Sequence, residues 1–311
     1  SLPAKITSLS DTLILSKTGG LAGGEAAQYP VPVPPRQHAA ASSEFKPAVS
    51  APRPQEQNYV TPRPAGPELP GGTLAFALYN HSLETYETHL INPDGSNHRQ
   101  ISLPGISEPA LHPTNNNQPL AFRAWSEPTS PRSLFSSDLT GEQHQSISGF
   151  WEDAQPDWSP VENRILFASQ RESDRRWRLY TAWGDGSLEV NLRREGKSPT
   201  FAPDGYRFAF ESCNVRGNQC GLWVSDLENS EFGATPILVD RQAKAPDWSP
   251  VGEEIVYMSK MADNWDVYLT NSTGSGTRRL TTDPADDGLP IWSQDGRWLA
   301  FVSNRGGEWG M

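Results

Sequence analysis

Six short apolar triplets recur along the chain at a nearly constant interval, and this repeat constrains the fold more than any other feature. Successive triplets begin 43 to 47 residues apart. They are Leu74-Ala75-Phe76, Leu120-Ala121-Phe122, Ile165-Leu166-Phe167, Phe208-Ala209-Phe210, Ile255-Val256-Tyr257 and Leu299-Ala300-Phe301. Because no stretch of the repeat holds a 3.6-residue hydrophobic period, the pattern predicts a repeated β-sheet unit and not helices.

Each repeat contains the signals of four short strands. A proline-bounded motif such as Pro156-Asp157-Trp158-Ser159-Pro160 shortly precedes five of the triplets. A third apolar stretch follows the triplets before the last one and ends in a polar turn, and a weaker fourth stretch comes next. Four strands per unit of this length are typical of a propeller blade. The sequence therefore predicts an all-β fold, a six-bladed β-propeller of four-stranded blades.

The region before the repeats has a different composition. Eleven of the 28 prolines fall between residues 28 and 70, and proline removes the backbone donors that helices and sheets need. We expect three regions: residues 1–27 as an N-terminal segment with one possible strand at 6–16, residues 28–70 as a proline-rich extended linker, and residues 71–311 as the propeller.

Closure of the propeller is an open point in this prediction. The sixth repeat reaches Met311 just as its third strand should begin, and an unpaired sheet edge invites aggregation. We expect either that the protein continues beyond Met311 or that an N-terminal strand, from residues 6–16 or 59–61, completes the last blade. Because the chain starts at Ser1, we also expect a processed or excerpted N-terminus.

The repeat resembles a known family. Its Pro-x-Trp-Ser-Pro motif, apolar triplet, Ser-x-Arg and strand ending in Asp-Gly-Ser resemble the TolB-type propeller repeat. The resemblance covers residues 71–311 and is strongest at 154–188, 244–282 and 288–311. It implies a fold and no single function, because the same repeat occurs in TolB, in propellers of prolyl-oligopeptidase-like enzymes and in surface or sensor proteins. Residues 1–70 do not resemble the N-terminal domain of TolB, so the resemblance implies no Tol–Pal role.

Several kinds of chemistry are disfavoured. The net charge of −11 argues against nucleic acid or an anionic membrane as the main partner. The sequence has no run of eighteen apolar residues, so it predicts no transmembrane helix. The nucleophile-elbow pattern Gly-x-Ser-x-Gly is absent, and its nearest approach, at Ser275, reads as a turn. The six histidines form no metal-binding pair motif, so we expect no catalytic residues and no cofactor.

The two cysteines predict a disulfide. Cys213 and Cys220 flank the turn signal Arg216-Gly217-Asn218, and cross-strand neighbours in a hairpin lie close enough to bond. Reduced cysteines in a loop are the alternative. A disulfide would place the chain in an oxidising compartment, so we expect an extracytoplasmic location, in the periplasm or at the cell surface.

The repeat also predicts where a ligand would bind. The residues just before each innermost strand should line the mouth of the central channel, where mixed charge suits a peptide or polar ligand. These candidates are Glu108, Asp153, Lys197, Lys244, Asp286 and Asp287. Asp283, Asp286 and Asp287 are also a weak calcium candidate, although a solvated turn explains them better. The residues Trp158, Phe201, Trp248 and Trp292 share one repeat position, which predicts packing between blades.

Three functions remain in competition. The favoured hypothesis is a non-enzymatic binding or scaffold propeller, working outside the cytoplasm as an accessory subunit of a larger surface assembly. It would bind protein partners through a propeller face or the proline-rich leader and reach a membrane or the envelope only through a partner. The alternatives are the gating propeller of a serine peptidase whose catalytic domain is not in this chain, and a polysaccharide-active propeller enzyme.

Overall fold

The structure is a computed structural model, and it describes about three-quarters of the chain. The described residues are 13–15 (backbone), 72–80, 82–101, 105–113, 119–125, 132–150, 152–228, 234–261, 263–307 and 309–311. Every regular element among them is a β-strand. None of these residues forms a helix long and apolar enough to span a membrane. The predicted linker at 28–70 lies outside the described residues.

The strands form six sheets that follow one another along the chain. Blade 1 comprises β1 (Leu13–Leu15), β2 (Leu74–Asn80), β3 (Thr85–Ile91) and β4 (Arg99–Gln100). Blade 2 comprises β5 (Ser107–Leu111), β6 (Leu120–Trp125), β7 (Arg132–Ser137) and β8 (His144–Ser146). Blade 3 comprises β9 (Asp153–Trp158), β10 (Arg164–Ser169), β11 (Arg178–Trp183) and β12 (Val190–Glu195).

The remaining blades follow the same order, except the last. Blade 4 comprises β13 (Lys197–Phe201), β14 (Arg207–Cys213), β15 (Cys220–Asp226) and β16 (Thr235–Leu238). Blade 5 comprises β17 (Lys244–Trp248), β18 (Glu254–Ser259), β19 (Asp266–Asn271) and β20 (Arg278–Arg279). The sixth sheet comprises two strands, β21 (Asp287–Trp292) and β22 (Leu299–Ser303). Within each sheet, neighbouring strands are antiparallel.

The apolar triplets lie in the second strand of each sheet, and in blades 2 to 5 all three side chains of the triplet are buried. Successive side chains of a strand point to opposite faces, so three consecutive apolar residues need packing on both sides. Ile165, Leu166 and Phe167 are all fully buried, and Leu166 packs toward blade 4 while its two neighbours pack toward blade 2.

Hydrophobic clusters fill the junctions between blades. Trp158 packs between blades 2 and 3, Phe201 between blades 3 and 4, and Trp248 between blades 4 and 5. Trp292, at the same repeat position of the sixth sheet, is half-buried. A further cluster joins blades 5 and 6 to blade 1, with Phe76 of β2 among its members. Face-to-face packing of this kind buries surfaces that one sheet alone would expose.

The prediction of an all-β propeller is confirmed. The finer prediction of six four-stranded blades is not. The described residues form five four-stranded blades, and the sixth sheet has two strands followed by an isolated bridge between Ser303 and Gly310. The alternative in which residues 6–16 complete the last blade is wrong, and residues 59–61, the other candidate, lie outside the described residues. β1 lies within the predicted range 6–16, but it pairs with β2, Leu13 opposite Leu78, and not with the last blade. It supplies an innermost strand to the one repeat whose triplet has no proline-bounded motif before it.

Candidate binding face

The face at which the innermost strands begin, termed here the top face, carries the predicted channel-mouth residues. Five innermost strands have a β-bulge there, at the residue before the repeated proline. These residues have φ between 47° and 57°: Glu108, Gln155, Ser198, Ala245 and Leu289. A left-handed conformation costs a non-glycine residue roughly 1–2 kcal/mol. A bulge also turns its backbone N–H away from its own sheet.

Contacts between blades provide oxygen acceptors for three of these bulge N–H groups. The Gln155 N–H donates to Glu108 Oε2 of blade 2 (2.5 Å), and the Ser198 N–H donates to Gln155 Oε1 of blade 3 (2.7 Å). The Ala245 N–H donates to Glu211 Oε1 of blade 4 (3.0 Å). Buried donors left without acceptors are costly, so these bonds explain why the strained bulges persist.

A second series of bonds joins the blades two residues further along each innermost strand. Asp157 Oδ2 accepts from the Phe201 N–H (2.7 Å). Thr200 Oγ1 accepts from the Trp248 N–H (3.1 Å), and Asp247 Oδ2 accepts from the Trp292 N–H (2.7 Å). We call these three contacts the inter-blade ladder. Two of the acceptors, Asp157 and Asp247, are the aspartates of the Pro-Asp-Trp-Ser-Pro motif, so this aspartate bonds one blade to the next.

The candidate acids and bases at the channel mouth are paired inside the protein. Asp153 binds Arg171 Nη2 through both carboxylate oxygens (2.8 and 2.7 Å). Asp287 Oδ2 lies 2.6 Å from Arg305 Nη2 at the matching position of the sixth sheet. Both aspartates are fully buried. Each pair joins the start of the innermost strand to the loop that follows the second strand of the same blade. Because each carboxylate is already paired with an arginine, neither is available to a ligand.

Two further candidates belong to ion pairs as well. Glu108 is fully buried with its Oε1 3.6 Å from Arg123 Nη1, and Lys244 Nζ lies 3.1 Å from Glu211 Oε2. Lys197 is half-buried. The six candidates do not share one position relative to the bulge. Glu108 is itself a bulge residue, Lys197 and Lys244 precede bulges by one residue, Asp153 and Asp287 by two, and Asp286 by three.

The calcium candidate residues are bonded to the protein. Asp283 Oδ1 accepts from the Ala285 N–H (2.9 Å) and Asp286 Oδ1 from the Trp265 N–H (2.9 Å), while Asp287 binds Arg305. In the part of the chain that the structure describes, no group of three His, Cys, Asp or Glu side chains could hold a metal ion. The local contacts are those of a turn.

The predicted disulfide is confirmed. Cys213 and Cys220 are directly opposite in the β14–β15 pair and are bonded. Asn214 orders the enclosed turn, because its Oδ1 accepts from the N–H groups of Asn218 (3.1 Å) and Gln219 (3.2 Å). The turn projects from the top face with a fully exposed Val215 at its tip. The result is a short, fixed hairpin that ends in an apolar side chain.

Sequence reasoning missed an apolar component of the top face. Its loops expose five large hydrophobic side chains: Leu83, Phe150, Val215, Val239 and Met261. Each lies in a polar segment between strands, which is the signal that would have identified it. The loops on the opposite face expose four, at Val161, Leu188, Tyr206 and Val251.

A pair of histidines lies on blade 1. His98 Nε2 is 3.1 Å from His89 Nδ1, and both rings stack on Phe76. Burial lowers the pKa of the His89 imidazole, and the positive charge of His98 lowers it further. His89 is therefore held in its neutral form at neutral pH.

Comparisons with known proteins agree with this architecture. Residues 193–310 match the model of the TolB β-propeller domain. A Tol-Pal system protein TolB from Anaeromyxobacter dehalogenans is 34% identical over 134 residues, which cover 41% of this chain and 30% of that protein. A TolB homologue from Chlorobium luteolum is 30% identical over 152 residues, covering 47% and 33%. The chain thus spans about a third of the length of these curated relatives.

A solved structure extends the comparison to the fold. The crystal structure of TolB from Acinetobacter baumannii superposes with a TM-score of 0.61 at 19% identity, covering 76% of this chain and 62% of that one. At this identity the likeness concerns the fold alone. Together with the sequence matches, it shows that this chain is similar to TolB β-propellers in fold and, over part of its length, in sequence.

Proposed function

We propose that this chain is a non-enzymatic binding or scaffold propeller that works outside the cytoplasm as an accessory subunit of a larger surface assembly. The observation that carries the proposal is the similarity of up to 47% of the chain to TolB proteins, one of which bears the name of the Tol-Pal system. The protein partners would meet the propeller face or the proline-rich leader at residues 28–70. An envelope or membrane association would come through such a partner.

The top face supports a role in binding. It combines exposed apolar side chains with charged groups whose partners already lie within the protein. Apolar patches rimmed by polar residues are typical of protein–protein contacts. The candidate residues Glu108, Asp153, Lys197, Lys244, Asp286 and Asp287 would form the floor of this surface and fix its shape.

The Cys213–Cys220 bond supports an extracytoplasmic location. Disulfides persist in oxidising compartments and are rare where thioredoxin and glutathione keep thiols reduced. Two further features belong to the proposal: six blades in the complete propeller, and the division into residues 1–27, 28–70 and 71–311.

The turn at Ser275 supports a non-enzymatic role for the described propeller. The Ser275 hydroxyl is 2.6 Å from Asn271 Nδ2 and 3.1 Å from Thr273 Oγ1, within the hairpin that joins β19 and β20. A nucleophilic serine needs a poised base, and these neighbours are turn residues. The peptidase-gating and polysaccharide-active alternatives are not favoured.

The proposal is tested by crosslinking in living cells of the host. A photo-reactive residue placed at Leu83 or Val239 samples the top face, and one at Val251 samples the opposite face as a matched control. We expect one discrete envelope protein to crosslink from the top-face positions. Thiol labelling of the same cells should leave Cys213 and Cys220 unmodified until a reductant is added. A cytoplasmic chain with free thiols, or equal crosslinking from Val251, would refute the proposal.

A further inference from the structure

A group of cations crosses the top face from the channel mouth to the disulfide hairpin. We call it the basic strip: Lys197, Lys244, Arg241, Lys260 and Arg216. Arg216, Arg241 and Lys260 are exposed, while Lys197 and Lys244 are half-buried at the starts of β13 and β17.

Hydrogen bonds and an ion pair connect the segments that carry the strip. The Arg241 guanidinium donates to the Gly217 carbonyl in the hairpin turn. The neighbouring Asp240 accepts from Ser259 Oγ (2.5 Å), which brings Lys260 beside the same loop. Lys244 Nζ binds Glu211 Oε2 (3.1 Å) on the strand that leads into the hairpin. The hairpin of blade 4, the loop between blades 4 and 5, and the hairpin of blade 5 therefore form one surface.

The strip keeps an excess of positive charge. The segments that carry the strip, residues 211–220, 239–244 and 259–263 together with Lys197, hold five cations and three carboxylates (Glu211, Asp240 and Asp263), a balance of +2 in a chain whose net charge is −11. Two of those carboxylates are engaged: Glu211 is buried and also accepts from the Ala245 N–H, and Asp240 accepts from Ser259 Oγ.

Exposed apolar side chains lie beside these cations in the sequence. Val215 at the hairpin tip, Val239 before Arg241, and Met261 after Lys260 are all exposed. The hairpin is fixed by its disulfide and by Asn214, and the Arg241 contact ties it to the next loop. A surface that is already ordered loses little conformational entropy on binding.

We propose that the basic strip binds an acidic segment of a partner protein that also carries apolar side chains. The charge complementarity selects the acidic partner and would speed its association, while Val215, Val239 and Met261 supply the apolar contacts. The proposal rests on the proposed function and specifies one of its surfaces.

Peptide binding to the intact chain tests this proposal. The probe is a fluorescein-labelled peptide of Glu and Leu residues, measured by fluorescence anisotropy. Two comparison peptides replace Glu by Lys or Leu by Ser. We expect the Glu/Leu peptide to bind best, and binding to weaken as salt is added.

Matched variants locate the binding surface. Arg216→Gln with Lys260→Gln removes two exposed cations of the strip, while Arg278→Gln with Arg297→Gln removes two exposed cations elsewhere. Because an exposed charge pair contributes up to about 1 kcal/mol, the first double variant should weaken the Glu/Leu peptide about 10-fold and the second less than about 2-fold. Val215→Ser should weaken binding of the peptide about 3-fold, and Val251→Ser, which changes an exposed valine on the opposite face, should not weaken it.

Several results would overturn the strip as a binding site. These are no binding of the Glu/Leu peptide, tighter binding of the Lys/Leu peptide, or equal losses in the two double variants. In each case crosslinking of an envelope protein from Leu83 would still support the proposed function. Loss of that crosslinking would instead count against the proposed function itself.

Discussion

The inter-blade ladder makes a quantitative prediction at Asp247. This side chain is buried, and its Oδ2 accepts the Trp292 N–H of the sixth sheet at 2.7 Å. A hydrogen bond to a charged group contributes about 1.5–3 kcal/mol, and a buried donor left without an acceptor costs about 1–3 kcal/mol. Asp247→Ala should therefore lower the free energy of unfolding by about 3 kcal/mol. Asp247→Asn keeps an acceptor oxygen and should lose only about 1 kcal/mol.

Two measurements check this prediction. For a propeller of this size a loss of about 3 kcal/mol lowers Tm by about 6–12 °C, and urea denaturation should give the same ranking of the variants. Hydrogen exchange should show the protection loss centred on Trp292 and the rest of β21. Asp263→Ala, which removes an exposed carboxylate from blade 5, is the control. If Asp247→Ala is no more destabilising than this control, the ladder does not join the blades as described.

Three further outcomes are expected. Replacing Cys213 and Cys220 by serine should cost about 2 kcal/mol, because the bond closes a loop with a sequence separation of 7 residues. Gly274→Ala should cost several kcal/mol more than Gly276→Ala in the same turn, since both have positive φ but a Cβ at Gly274 would meet a backbone carbonyl of blade 4, whereas a Cβ at Gly276 meets nothing. The free energy of unfolding should be highest above about pH 6.5 and fall as the pH drops through the lowered pKa of His89, because the unfolded chain binds the proton more readily. In urea denaturation at a series of pH values, His89→Gln should reduce this fall.

Each of these outcomes has its own control. The disulfide effect should vanish when both proteins are compared in dithiothreitol, and a difference that persists would point to strain from the serines. Equal costs at the two glycines would refute the steric argument. His144→Gln removes an exposed histidine of blade 2 and keeps the His89–His98 pair, so an equal flattening there would exclude His89 as the source.

The elements that sequence predicts best here are local or periodic. The triplets identify the second strands because each triplet must be covered on both faces, and the cysteines identify their hairpin because the turn residues lie between them. The Asp153–Arg171 and Asp287–Arg305 pairs are also periodic, since each spans 18 residues. That equal spacing in two repeats was a usable signal, although neither pair was predicted from it.

The elements that sequence does not predict depend on another blade. Each bulge shifts the pairing register by one residue. The number of residues between a candidate and the repeated proline therefore does not show which candidate faces the channel. Whether Glu108 is free or bonded depends on Arg123 and on the backbone of Gln155 in the next blade. β1 was difficult to place because its partner strand, β2, lies about sixty residues further along the chain.

The inter-blade ladder has a direction, and that direction bears on how such a chain can change in length. In each step the earlier blade provides the acceptor and the later blade the N–H. A copied blade inserted between two others would therefore present a suitable group to both neighbours without any new interface. Gene duplication can thus change the number of blades while the hydrogen bonds between neighbouring blades stay the same. The number of blades is then limited by the angle between blades at which the ring closes.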